Sequence, residues 1–171
     1  VGTLSAYGRA GDELRFYELD PQVLEVARRH FTYLGSTPAK LDFEIGDARL
    51  SLERELKRQG PRGYDVLAID AFSSDSIPVH LITREAIELY ARHIAADGII
   101  AIHISNRFLD LKPVLANIAA ATGLTVRHVA DSPQDDLLAS STDWVLLAKD
   151  PKVFDTGGLA KRAEPLAPAP Q

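Results

Sequence analysis

Along the chain, short apolar runs that end in acids trade places with stretches where apolar residues recur every three or four positions. Residues 14–20, Leu-Arg-Phe-Tyr-Glu-Leu-Asp, predict a strand. Asp20 then precedes Pro21, so it can cap a helix that has proline in its first turn. That helix is expected to reach about Leu34, with Val23, Ala27, Phe31 and Leu34 on one stripe. Residues 41–47 predict a second strand, and a short amphipathic helix at about 50–57 is broken by Gly60-Pro61. The third strand, 64–70, has a continuously apolar centre, the pattern of a parallel strand covered on both faces. A loop over 71–81 leads into a helix at about 83–95, with Ile87, Tyr90 and Ile94 facing the core. Next come an apolar strand at 99–105 and a helix at about 111–122 carrying Leu111, Val114, Leu115 and Ile118. Strands at 124–130 and 143–149 follow, and Pro151 ends the second.

Strand and helix thus alternate until two strands come in succession. This order predicts an α/β sandwich whose sheet is mainly parallel and closes on an antiparallel C-terminal hairpin. One domain is expected over 1–150. Residues 151–171 are expected to form a Pro/Ala-rich tail, since 163–171 holds three prolines, three alanines and no aromatic residue, the composition of a disordered linker.

Composition narrows the classes. Hydrophobic residues make up 46% and charged residues 25%, as in globular domains, and no apolar run approaches the roughly eighteen residues of a membrane span. A net charge of −5 argues against nucleic acid as partner. The absence of cysteine excludes a disulfide framework, an iron–sulfur cluster, a thiolate zinc site and a cysteine nucleophile, and fits a cytoplasmic setting. With no methionine anywhere, Val1 is not a natural start, and the chain is expected to be an excerpt of something longer.

In open α/β sheets, ligands bind beyond the carboxyl ends of the strands. The first strand ends in Glu18-Leu19-Asp20, the second in Gly46-Asp47-Ala48 and the third in Asp70. Glu18 is placed to accept from vicinal ribose hydroxyls; a solvated strand-end acid is the alternative, and Asp20 suits helix capping better. Gly46 lets backbone approach a flat ring closely, and Asp47 can accept from an exocyclic amine, or else simply cap the next helix. Asp70 ends an apolar run and is expected to be partly desolvated, which suits a general base. The loop beyond it carries Ser73, Ser74, Asp75 and Pro78, where Asp75 could hold a cationic amine, or Asp and Ser could cap the following helix. The five histidines have no metal-ligand spacing, so no metal is expected, and His80 and His103 read as hydrogen-bonded structural residues near the rim. Trp144 reads as core or interface.

Taken together, these strand ends resemble the spermidine synthase (polyamine aminopropyltransferase) family within the class I S-adenosylmethionine-dependent methyltransferase fold. The resemblance spans about 1–150. Val-Gly-Thr-Leu-Ser-Ala-Tyr-Gly at 1–8 looks like the tail of the family's glycine-rich loop, implying a cofactor contact at Gly2. Phe-Tyr-Glu-Leu-Asp-Pro at 16–21 implies Glu18 as the ribose ligand, and Gly46-Asp47-Ala48 looks like the adenine site. The segment after residue 69 resembles the catalytic loop, implying Asp70 as base, Asp75 as amine ligand, and Ser73 and Ser74 in the substrate loop. The family spaces these aspartates Asp-x-x-Asp, whereas here four residues separate them.

The resemblance implies a Rossmann-like three-layer sandwich lacking its first strand, with S-adenosylmethionine or its decarboxylated form as co-substrate, no metal, and a small amine such as putrescine as acceptor. It implies a transferase of polyamine biosynthesis in the parent protein, with the excerpt itself inactive. Methyl transfer from S-adenosylmethionine is the alternative, and a non-catalytic soluble domain of a membrane protein a third. The longer loop and the 2–8 run look more like synthase-like domains that follow a multi-helix membrane region, which would make this a cytoplasmic domain touching no membrane itself. A missing central strand would leave sheet edges open to a second copy, or to closure by pairing the remaining strands.

Overall fold

The computed structural model describes residues 1–72, 77–106, 109–131 and 141–168, and strand and helix alternate through them as the sequence predicts. The chain divides into two compact units, Val1–Arg58 and Gln59–Gln171.

The first unit pairs β1 (Glu13–Glu18) in parallel with β2 (Lys40–Ile45). Phe16 and Phe43 are partners in that ladder and their rings stack at 5.4 Å. Arg15 ties the pair to α3 (Ala48–Gln59). Its guanidinium donates to Asp42, to Glu44 at 3.0 Å and to Glu55 at 2.5 Å, while the Tyr17 hydroxyl donates to Glu55 at 2.8 Å. Burial alone would lower the Arg15 pKa. The hydrogen bonds and charges of Glu55 and Tyr17 outweigh it and hold the guanidinium above its ordinary value.

Between the strands, α1 (Pro21–His30) starts as predicted, with Asp20 accepting from the Gln22 N–H at 2.8 Å. It stops sooner than predicted. Phe31 is extended, and a separate turn, α2 (Tyr33–Ser36), follows. The buried face is Leu24 and Ala27, whereas Val23 and Phe31 are exposed. Of the expected stripe only Ala27 is buried within this helix; Leu24 takes the place of Val23, and Phe31 lies past the helix end.

The second unit is a five-stranded sheet in the order β3-β4-β6-β5-β7. β3 (Tyr64–Ile69) and β4 (Ile94–His103) are parallel; β6 (Thr142–Ala148) runs antiparallel to β4 and to β5 (Thr125–Asp131). α4 (Arg84–His93) and α5 (Lys112–Thr122) bury Ile87, Tyr90, Leu115 and Ala119, while Ile100, Ile102, Val145 and Leu147 fill the strands' share of the core. β4 begins at Ile94, earlier than predicted. Tyr64 pairs with Ile94 and Val66 with Ile99, so a bulge in β4 absorbs the extra residues. Gly98 sits in that bulge, where a Cβ would lie 2.5 Å from the Tyr64 carbonyl oxygen.

Two expectations change here. β3 is not covered on both faces: among the described residues it is an edge strand, and Val66 is 61% exposed. The sequence leaves closure of the gap open, and the described strands form two ladders, with β1 bonded to β2 and β3 to β4. The tail does not lose structure at 151. Asp150 caps a 3-10 turn at Pro151–Asp155, and Phe154 is buried against Ala101, Leu146 and Ala148. α6 (Leu159–Arg162) and the short β7 (Glu164–Pro165) follow, with β7 pairing to β5. One aromatic side chain with a core to enter outweighs the Pro/Ala composition around it. No helix among the described residues is long and apolar enough to cross a membrane.

Candidate active site

In the first unit, the β1 and β2 ends meet through one backbone bond, Gly46 N–H to the Glu18 carbonyl at 2.8 Å. Glu18 is half-buried, and its Oε1 accepts from the Asp20 N–H at 3.1 Å. Gly46 has φ 145°, a backbone that side chains rarely adopt, and the Ser51 hydroxyl and an Arg54 nitrogen lie 3.4 and 3.6 Å from where a Cβ would stand. Asp47 accepts from the Leu50 N–H at 2.9 Å and so caps α3, of which Ala48 is the first residue. Gly2 (φ 84°) opens a 3-10 turn, Thr3–Tyr7, and a Cβ on it would strike the Leu34 side chain.

In the second unit, Asp70 stands just past Ile69 at the carboxyl end of β3. Its side chain is 51% exposed, which corrects the expected desolvation: burial stops at Ile69, 6% exposed, and the carboxylate projects off the strand's end. Its partner is His103, the last residue of β4, whose Nδ1 lies 2.8 Å from Asp70 Oδ1. The other ring nitrogen, Nε2, is 2.8 Å from Ser105 Oγ, and that oxygen accepts from the Asp143 N–H at 2.9 Å. His128 Nε2 lies 2.9 Å from Asp143 Oδ1. Trp144 stacks on the His103 ring at 4.7 Å, and Phe72 meets it edge-on at 4.9 Å. Asp75, Ser73 and Ser74 lie outside the described residues.

His103 was expected to be a hydrogen-bonded structural residue, yet it is joined to the candidate base. Ser105 and Asp143 gave no signal of their own. The spacing His103–Ser105 offered one, since residues two apart on a strand share a face. Trp144 reaches the ring because it is the ladder partner of His103, a register that a long β5–β6 connection conceals. Among the described residues, no cluster of three or more His, Asp or Glu could hold a metal ion.

No family model matches the chain. Over 97 residues it is 33% identical to a polyamine aminopropyltransferase of Vibrio vulnificus, a match covering 56% of this chain and 29% of that protein. In fold it is similar to a spermidine synthase solved with the transition-state analogue AdoDATO: TM-score 0.64, 16% identity, 92% of this chain and 55% of that one. It is also similar to human methyltransferase-like protein 13 solved with SAH: TM-score 0.59, 18% identity, 81% of this chain and 61% of that one. The chain therefore spans less than a third of the curated relative and between half and two thirds of the solved chains.

Proposed function

We propose that this chain, spermidine synthase-like in sequence and class I methyltransferase in fold, belongs to an enzyme that transfers an aminopropyl group from decarboxylated S-adenosylmethionine to an amine such as putrescine. The observation that carries the reading is Asp70: a half-exposed carboxylate at a strand's carboxyl end, held by a single imidazole on Oδ1. The co-substrate supplies an electrophilic carbon beside a sulfonium, so a metal or covalent nucleophile is not required. What remains for the protein is to orient an amine and accept one proton. Asp70 is the acceptor in this proposal, and Asp75 attracts the amine cation. Glu18 takes the ribose hydroxyls, Gly46-Asp47-Ala48 the adenine, and Gly2 the remainder of the nucleoside.

The likeness to an SAH-bound methyltransferase supports a second reading, methyl transfer on the same scaffold. Mass analysis of the product separates the two. Full-length protein, decarboxylated S-adenosylmethionine and putrescine should yield the aminopropylated amine. A methylated amine from S-adenosylmethionine supports the second reading, and no transfer with either donor refutes both.

A further inference from the structure

The hydrogen bonds behind Asp70 run one way. The Asp143 N–H can only donate, and an ionised carboxylate can only accept. Between those ends lie Ser105 Oγ and the two nitrogens of His103, with successive distances of 2.9, 2.8 and 2.8 Å. With the ring neutral, Ser105 donates its hydroxyl proton to Nε2, and the imidazole carries its proton on Nδ1, aimed at Asp70. The Asp143 end of the chain is fastened twice. The Asp143 carbonyl accepts from the Ile104 N–H at 2.8 Å, and its carboxylate meets His128. The ring plane is fixed as well, by Trp144 on one face and the edge of Phe72.

We propose that His103 is the positioning residue for Asp70, and that Ser105 and the Asp143 peptide hold it in the Nδ1–H tautomer that this role needs. The proposal rests on Asp70 being the base. Its consequence concerns the proton. As the new C–N bond forms, the C–S bond breaks and its electron pair leaves with the sulfur as a neutral thioether; the amine's N–H proton goes to Oδ2 of Asp70, because Oδ1 already receives the Nδ1–H. The ring cannot take that proton onward, since Nδ1 is protonated and Nε2 is covered by Ser105. It leaves from Asp70 to water across the carboxylate's exposed side.

Asp, His and Ser in this order also occur in acyl-transfer triads, where the acid is buried and the serine faces the substrate. Exposure runs the other way here. Asp70 is 51% exposed and His103 18%, while Ser105 is partly buried with its oxygen already accepting a backbone N–H. The chain delivers order to the carboxylate rather than activating the hydroxyl.

Two readouts test this. Nitrogen-15 spectra of the histidine rings should show His103 as the Nδ1–H tautomer in the wild-type protein, shifting toward Nε2–H in Asp70→Ala. In turnover by the full-length protein, His103→Ala should lose about 100-fold in kcat with nucleoside affinity unchanged, because a carboxylate released from its mount is misplaced. His103→Asn, whose amide can donate from near the Nδ1 position, should recover most of that loss. An Nε2–H ring, or a ring unaffected by Asp70→Ala, overturns the proposal. So does equal turnover in wild type, His103→Ala and His103→Asn. If no variant or wild type transfers an aminopropyl group, the assigned reaction fails, and the ring spectra alone decide whether His103 mounts Asp70.

Discussion

The His103 imidazole lies against the Trp144 indole with ring centroids 4.7 Å apart and planes 15° from parallel. The two are ladder partners on β4 and β6, so backbone register creates the stack. Trp144 is the sole tryptophan, which makes its emission a local probe. Removing the ring in His103→Ala should bare one indole face and move the emission to longer wavelength, with the far-ultraviolet dichroism unchanged. An unmoved emission maximum would mean that the stack is absent in solution.

Arg15 carries the first unit's main polar load. Its side chain is 14% exposed and that of Glu55 9%, so removing one leaves the other desolvated without its partner. Arg15→Met should cost roughly 3 kcal/mol in urea unfolding. Arg15→Met combined with Glu55→Gln should cost clearly less than the sum of the two single changes, since neither charge is then stranded. Additive losses would show that the pair is not coupled.

Gly98 is required by contact, not by its dihedral angles. A Cβ there meets the Tyr64 carbonyl oxygen at 2.5 Å and the Ala95 nitrogen at 2.9 Å, both backbone atoms that cannot swing aside. Gly98→Ala should destabilise by about 1–3 kcal/mol. Gly158 is the control. It has φ −69° with nothing near its Cβ, so Gly158→Ala should be neutral or add about 0.5 kcal/mol. Thermal melts of the two variants should move in different directions or differ by several degrees.

Asp47 separates capping from recognition. Asp47→Ala should cost about 1 kcal/mol through the lost bond from the Leu50 N–H, whereas Asp47→Asn keeps a capping oxygen and nearly full stability. If Asp47 also accepts from an adenine amine, both variants should lose nucleoside affinity, since asparagine then offers N–H where an acceptor is needed. Affinity that falls only in Asp47→Ala would assign Asp47 to the cap alone.

Asp70→Asn should abolish turnover, by about 100-fold or more, and largely spare nucleoside affinity. Glu18→Ala should do the reverse and weaken nucleoside binding first. Equal loss of nucleoside binding in both variants would contradict the division of roles.

Much of this arrangement was legible in order along the chain. Strand–helix alternation, the Asp20-Pro21 helix start and the acids at three strand ends all follow from local rules, and the structure keeps each of them. What was hidden depends on residues far apart in sequence. Phe154 is buried because Ala101, Leu146 and Ala148 wait for it, although its own neighbourhood reads as linker. Asp70 is exposed because β3 stops at Ile69 with one ladder partner, although the apolar run before it suggested burial. The Asp143–Ser105–His103–Asp70 chain joins the ends of three strands, and the β3–β4 and β4–β6 registers together bring its members within 3 Å of one another.

Calorimetric titration of the full-length protein with S-adenosylmethionine and, separately, with decarboxylated S-adenosylmethionine tests the assigned reaction most directly. The decarboxylated donor lacks a negative charge that a chain of net charge −5 disfavours, and it should bind at least about tenfold more tightly. Tighter binding of the carboxylated form, or no binding of either, would contradict aminopropyl transfer.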